Sequence, residues 1–136
     1  MSAGGWIGVD LDGTLAEYSG WNGIGHIGAP VPAMVERVKA WLKDGVEVRI
    51  FTARAGDYEH WKWAREKGLL NDPEYCEAFA QVDAIYNAII KPIESWCELH
   101  FGQQLRVTAM KDFGMIELWD DRAVSVQMNT GKDLRS

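Results

Sequence analysis

Trp6-Ile-Gly-Val-Asp10-Leu-Asp12-Gly-Thr-Leu15 is the stretch on which the fold turns. Its first half is a short apolar run of the kind that makes a buried strand, and Asp12-Gly13 breaks it at once. Period-two geometry puts the Asp10 and Asp12 carboxylates on one face at the strand end while Leu11 points into the fold. Gly13 then lets the backbone turn sharply. A second acidic pair, Asp120-Asp121, follows another apolar run, Met115-Ile-Glu-Leu-Trp119. Like charges repel, so four carboxylates brought to one sheet edge call for a divalent cation and a nearby base.

Between these ends the elements arrive in an α/β order. Pro32 opens a segment with apolar positions Val31, Val35, Val38 and Leu42 at helical spacing, and Gly45 closes it. The run 46–52 is β-rich and ends at Thr52, so strand, helix and strand build a right-handed parallel βαβ unit. Residues 57–67 read as a helix. Asn71-Asp72-Pro73 is a cap signal, and Tyr75, Phe79, Val82, Tyr86, Ile89, Ile93 and Cys97 continue a three/four spacing that Pro92 is expected to kink or divide. Leu105–Thr108 and Met115–Trp119 read as strands, and Val124–Met128 as an edge strand before a polar tail, 128–136. Residues 13–30 hold five glycines (Gly13, Gly20, Gly23, Gly25, Gly28) without periodic apolar positions and read as a flap, too flexible for a core element.

The chain has 136 residues, 47% of them apolar and seven of them Trp, which is room for one compact domain with a real core. A net charge of −6 argues against a broad nucleic-acid-binding face. No basic and apolar leader opens the chain and no apolar run approaches the roughly 18–20 residues of a membrane helix, so the expectation is a soluble cytoplasmic protein. Cys76 and Cys97 lie in helical patterns without ligand-like spacing and are expected to be reduced.

Each acidic or cationic candidate has an ordinary alternative. Asp10-Leu-Asp12 can be a turn with an acidic cap, although a calcium loop fits badly: its sixth and twelfth positions would be Leu15 and Trp21 instead of Gly and Glu. As chemistry, Asp10 suits a nucleophile that needs a counter-charge more than a base, and Asp12 suits the acid that protonates a leaving oxygen. Thr52 can donate a hydroxyl to a phosphoryl oxygen without adding charge, though strand-end threonines are common. Arg54 has the planar fork that phosphate accepts, with a surface salt bridge as the competing reading. Lys111, just before the last strand, suits a phosphate-binding point charge, and Lys91 is its rival. Hard oxygen ligands from Asp10, Asp12, Asp120 and Asp121 favour Mg²⁺ over zinc.

Taken in order, Asp10-Leu-Asp12-Gly-Thr-Leu15, Ile50-Phe-Thr52, Lys111 and Asp120-Asp121 resemble the four motifs of the haloacid dehalogenase superfamily of phosphotransferases. The match spans residues 9–121 and looks closest to short, capless bacterial and phage members. That resemblance implies a three-layer Rossmann-like core with a central, mainly parallel sheet and no large cap domain, over one domain, 1–136. It implies Asp10 as nucleophile, Asp12 as acid/base, Thr52 and Lys111 as phosphate-binding groups, and Mg²⁺ held by Asp10, the Asp12 carbonyl and one of the acidic pair. Only eight residues separate Lys111 from Asp120, where many members have a helix.

The resulting expectation is a Mg²⁺-dependent phosphatase that cleaves a phosphomonoester through an aspartyl-phosphate. An open site suits a bulky substrate (a nucleic-acid end, a phosphoprotein or a larger metabolite) or a lid from a second subunit, and the seven Trp leave room for a homo-oligomeric interface. Trp21 and His26 of the flap and His60, Trp61 and Trp63 of the 57–72 segment are the specificity candidates. The competing classes are a receiver-like phosphoacceptor domain and a non-catalytic binding module on the same fold. Receiver order, with the adjacent acidic pair first, is the reverse of the order found here.

Overall fold

The structure, a computed structural model, describes residues 4–68 and 81–135. Among the described residues the chain is an α/β fold built on a four-stranded, all-parallel sheet, with the Rossmann-like organisation expected from the strand and helix order. The strands are β1 (Trp6–Val9), β2 (Glu47–Phe51), β3 (Arg106–Thr108) and β4 (Met115–Trp119), arranged β3-β2-β1-β4. β1 is central, pairing with β2 from Trp6↔Glu47 to Val9↔Ile50 and with β4 on its other side. All four of its residues are buried, as a central parallel strand requires.

Helices α1 (Pro32–Lys43) and α3 (Lys91–Phe101) pack on one face of the sheet. The core there joins Ile7 and Val9 of β1, Val48 and Ile50 of β2, Val35 and Val38 of α1, and Ile93 and Cys97 of α3. On the other face Trp6 is held by Arg49, whose guanidinium lies 4.3 Å from the ring centroid, and by Asp112, which accepts the indole N–H at 2.7 Å. Asp112 belongs to the crossover of residues 109–114, which takes the chain from β3 to β4. The Trp6 hydrogen bond leads the contacts that hold the Asp112 carboxyl below its ordinary range.

Helix α2 (Gly56–Glu66) follows a 3₁₀ turn, Ala53–Ala55, and is tied to the end of β3 because Glu59 accepts from the Thr108 hydroxyl at 2.8 Å and from the Ala109 amide. The expected division at Pro92 is present as a change of helical pitch: residues 81–85 are helical, Tyr86–Ile90 form a π-turn, and α3 begins at Lys91. Proline has no amide hydrogen to give the preceding turn, so the ladder is re-registered there. The cap signal at 71–73, Tyr75, Cys76 and Phe79 lie outside the described residues.

Two expectations are corrected. The flap is not wholly outside the core, since Leu15 and Ala16 are completely buried. Glu17 donates its amide to Ala29 at 2.8 Å and Val31 donates to Leu15 at 2.8 Å, so the two legs of the flap are zipped together at the base. The segment 124–128 does not add a strand to the sheet. Val126 instead pairs with Asp133 of its own tail, because Asn129 (φ 66°) and Gly131 (φ 73°) adopt left-handed conformations that reverse the chain. No helix among the described residues is long and apolar enough to cross a membrane.

Candidate active site

The strand order puts a topological switch between β1 and β4: the chain leaves β1 towards β2 and β3, then returns across the sheet to β4. Open parallel sheets leave a crevice at the carboxyl ends of the two strands flanking such a switch. Asp10 leaves β1 there and Asp120 leaves β4, joined by the Asp10 amide donating to the Trp119 carbonyl at 2.9 Å. A cleft of about 540 Å³ lies over these ends, lined by Asp10, Asp12, Thr52, Arg54, Asp120, Asp121 and Arg122 with Tyr18 and Trp21 of the flap.

Within the cleft Asp10, Asp120 and Asp121 each offer a carboxylate oxygen, all within 4.8 Å of one another. Hard oxygens at that spacing could hold a small divalent cation, and both members of the second pair belong to the group. Burial comes first among the causes that push the Asp10 carboxyl up to about 7, followed by its contact with Asp121 and the charges of Asp120, Asp121 and Asp12.

Asp12 is placed differently. Arg54 grips it with two of its three guanidinium nitrogens, Nε to Oδ2 at 2.8 Å and Nη2 to Oδ1 at 2.7 Å, in a pair sheltered from solvent. Bidentate geometry of this kind is stronger than an exposed ion pair and fixes direction as well as distance. The third prong, Nη1, donates to the Ile24 carbonyl at 3.2 Å, and the guanidinium carbon lies 5.6 Å from the Trp21 ring centroid. Arg54 therefore joins the acid/base candidate to the flap. Thr52 is buried and its hydroxyl accepts the Arg54 amide at 3.3 Å, which anchors the turn that carries the guanidinium.

Thr14 was not among the candidates and is the residue that ties the two acidic pairs together. Its hydroxyl reaches Asp121 Oδ1 at 3.2 Å and Asp10 Oδ2 at 3.4 Å, and accepts the Asp121 amide at 3.0 Å. Gly13 makes the approach feasible. Its φ is 90°, and a Cβ there would stand 2.7 Å from Asp121 Oδ2. The sequence signal was available in Asp12-Gly13-Thr14: a small residue and a hydroxyl directly after a carboxylate pair.

The remaining candidates divide by element. Lys111 is exposed in the crossover, two residues past Ala109, which lines the cleft, but is not itself among the lining residues. Lys91 opens α3 beside Ile90, which lines a separate cavity with Tyr58, Glu59 and Trp63. Trp21 lines the acidic cleft, and His26 lines an adjoining one of about 320 Å³ beneath the flap. His60 and Trp63 stack with each other on α2, away from the carboxylates. Cys97 is buried in α3, where desolvation pushes its thiol up to about 12, so it is chemically quiet. Comparison of the chain with protein families, with curated proteins and with solved structures gave no match.

Proposed function

We propose that the chain is a Mg²⁺-dependent phosphomonoester hydrolase of the haloacid dehalogenase type. The observation that carries this reading is the convergence of Asp10, Asp120 and Asp121 at the switch point, their oxygens within 4.8 Å of one another, beside Asp12 held on its own cation. Asp10, Asp120 and Asp121 would hold the ion, which when bound supplies the positive charge that three carboxylates and an incoming phosphate all need.

The residues then divide the work. An Asp10 oxygen attacks phosphorus, the ester P–O bond breaks, and the departing alkoxide takes a proton from Asp12. Asp12 next takes a proton from water, the water oxygen attacks the aspartyl-phosphate, and inorganic phosphate leaves with the Asp10 carboxylate restored. Thr52, Arg54 and Lys111 serve the phosphoryl oxygens, the arginine by its fork and the lysine as a point charge. Arg54 must release at least one Asp12 oxygen for the acid to reach the leaving group. A cytoplasmic setting, with its millimolar-scale free Mg²⁺, suits this chemistry.

The test is hydrolysis of p-nitrophenyl phosphate. Wild-type protein is expected to turn it over only with Mg²⁺, and Asp10→Asn to abolish turnover with the circular-dichroism spectrum unchanged. Mg²⁺-independent turnover, or full activity in Asp10→Asn, would sink the mechanism. The grip of Arg54 on both Asp12 oxygens favours one second reading, a binding module without turnover. Saturable Mg²⁺ binding by a wild-type protein that hydrolyses no phosphomonoester would establish it.

A further inference from the structure

Whatever the phosphoryl group is attached to must leave on the Asp12 side of the cleft, because the proton donor has to reach the departing oxygen. That side is the flap. The acidic cleft and the cavity beneath the flap share Asp12, Tyr18 and Arg54, so they adjoin across the Arg54–Asp12 pair. The flap tip carries Tyr18, Trp21 and Ile24 with half or more of their surface in solvent. Three large apolar side chains on one short tip at a cavity mouth are more than the scatter of single exposed hydrophobics that any surface shows.

The base of the flap is built to hold that tip in place. Trp96 of α3 donates its indole N–H to the Gly28 carbonyl at 3.1 Å, and Gly28 lies so close to Glu17 that a Cβ would stand 2.0 Å from the Glu17 carbonyl oxygen. The planar guanidinium of Arg54 lies near the Trp21 ring, bound through Nη1 to the tip itself at Ile24. Trp21 keeps 63% of its surface in solvent beyond that contact, and a flat aromatic group is the ligand an open indole face accepts. Beyond it Ser19, Asn22 and His26 line the second cavity with hydrogen-bonding groups suited to a ring edge or sugar hydroxyls.

From this arrangement we infer that the substrate is a nucleoside monophosphate, its base stacked on Trp21 and its phosphate at Asp10. The inference rests on the phosphatase reading and names the substrate class for that same site. A free mononucleotide is favoured over a nucleic-acid end because a chain of net charge −6 repels a polyanion.

The experiment compares adenosine 5′-monophosphate with ribose 5-phosphate, which keeps the pentose and phosphate but lacks the base, and with a 5′-phosphorylated oligonucleotide, all with Mg²⁺. The expected result is a kcat/KM for the mononucleotide at least ~10-fold above that of both others, mostly through KM. Trp21→Ala should reduce the mononucleotide-to-ribose-phosphate ratio about 10-fold, and Trp21→Phe should keep most of it. A wild-type ratio near one, an equal loss on both substrates in Trp21→Ala, or a preferred oligonucleotide overturns the assignment while leaving the phosphatase reading in place. Failure to hydrolyse any of the three, or p-nitrophenyl phosphate, overturns both.

Discussion

Asp10 sits half-buried beside three other carboxylates, and its folded-state carboxyl is raised from the ordinary 3.8 to about 7, with burial the leading cause. A raised acid pKa means that the folded state binds the proton more tightly than the unfolded chain does. Stability is therefore unaffected below about 4 and falls as the pH rises towards 7, above which the whole penalty is present. Removing the charge removes the penalty. Asp10→Asn should unfold at higher urea than wild type at pH 8 without divalent ions, by roughly 1–2 kcal/mol once solvent screening of a half-exposed group is allowed for. The difference should vanish near pH 4, and equal stability at pH 8 would remove the electrostatic argument. At this scale the sequence was informative about charge and poor on partners. Asp10 and Asp12 were legible from alternation at a strand end, but their separation, one among carboxylates and the other gripped by Arg54, depends on a turn 42 residues away in the chain. Thr14 escaped notice because a hydroxyl's role is set by what folds next to it.

Periodicity read the elements well where packing repeats, and less well where it does not. β1, α1, β2, α2, β3 and β4 lie within a residue or two of the apolar patterns that announced them. The flap and the tail have no repeat, so the burial of Leu15 and Ala16 and the self-pairing of Val126 were invisible to that reading. The two lysines show the same contrast between pattern and placement. Lys111 follows β3 by three residues, at the sheet end that carries Thr52 and Asp10, whereas Lys91 starts a helix whose neighbouring residue faces another cavity. Of the two, only Lys111 follows closely on a residue that lines the acidic cleft, Ala109. Lys111→Ala is therefore expected to lower kcat/KM for p-nitrophenyl phosphate about 10- to 100-fold and Lys91→Ala less than about 2-fold. Comparable losses in the two variants would remove Lys111 from the site.

For the whole molecule, the order β3-β2-β1-β4 brings Asp10 into one cluster with Asp120 and Asp121, more than a hundred residues away in the chain, and Gly13 and Thr14 draw them into contact. The strand-end positions of both pairs foretold a shared sheet edge, while the strand order that achieves it comes from the return crossover of 109–114, which sends β4 to the far side of β1. Burial and repulsion at the cluster oppose folding, and a divalent cation bound there would reverse that sign, since an ion that binds only the folded chain stabilises it by mass action. At a hundred times its dissociation constant such an ion would contribute about 2.7 kcal/mol, which for a chain of 136 residues would raise Tm by roughly 10 °C. Simple screening of a chain of net charge −6 would also raise Tm, so the control is NaCl at matched ionic strength. A saturable Mg²⁺ shift well above the NaCl shift, and largely lost in Asp121→Asn, is the expected outcome of a thermal titration at pH 8. The variant separates the two causes because it removes only one of the chain's acidic charges yet turns one of the three converging carboxylates into a neutral amide. Screening would then survive almost intact, whereas a coordination site would not. An identical response of wild type and Asp121→Asn to the two salts would leave the acidic cluster without a metal.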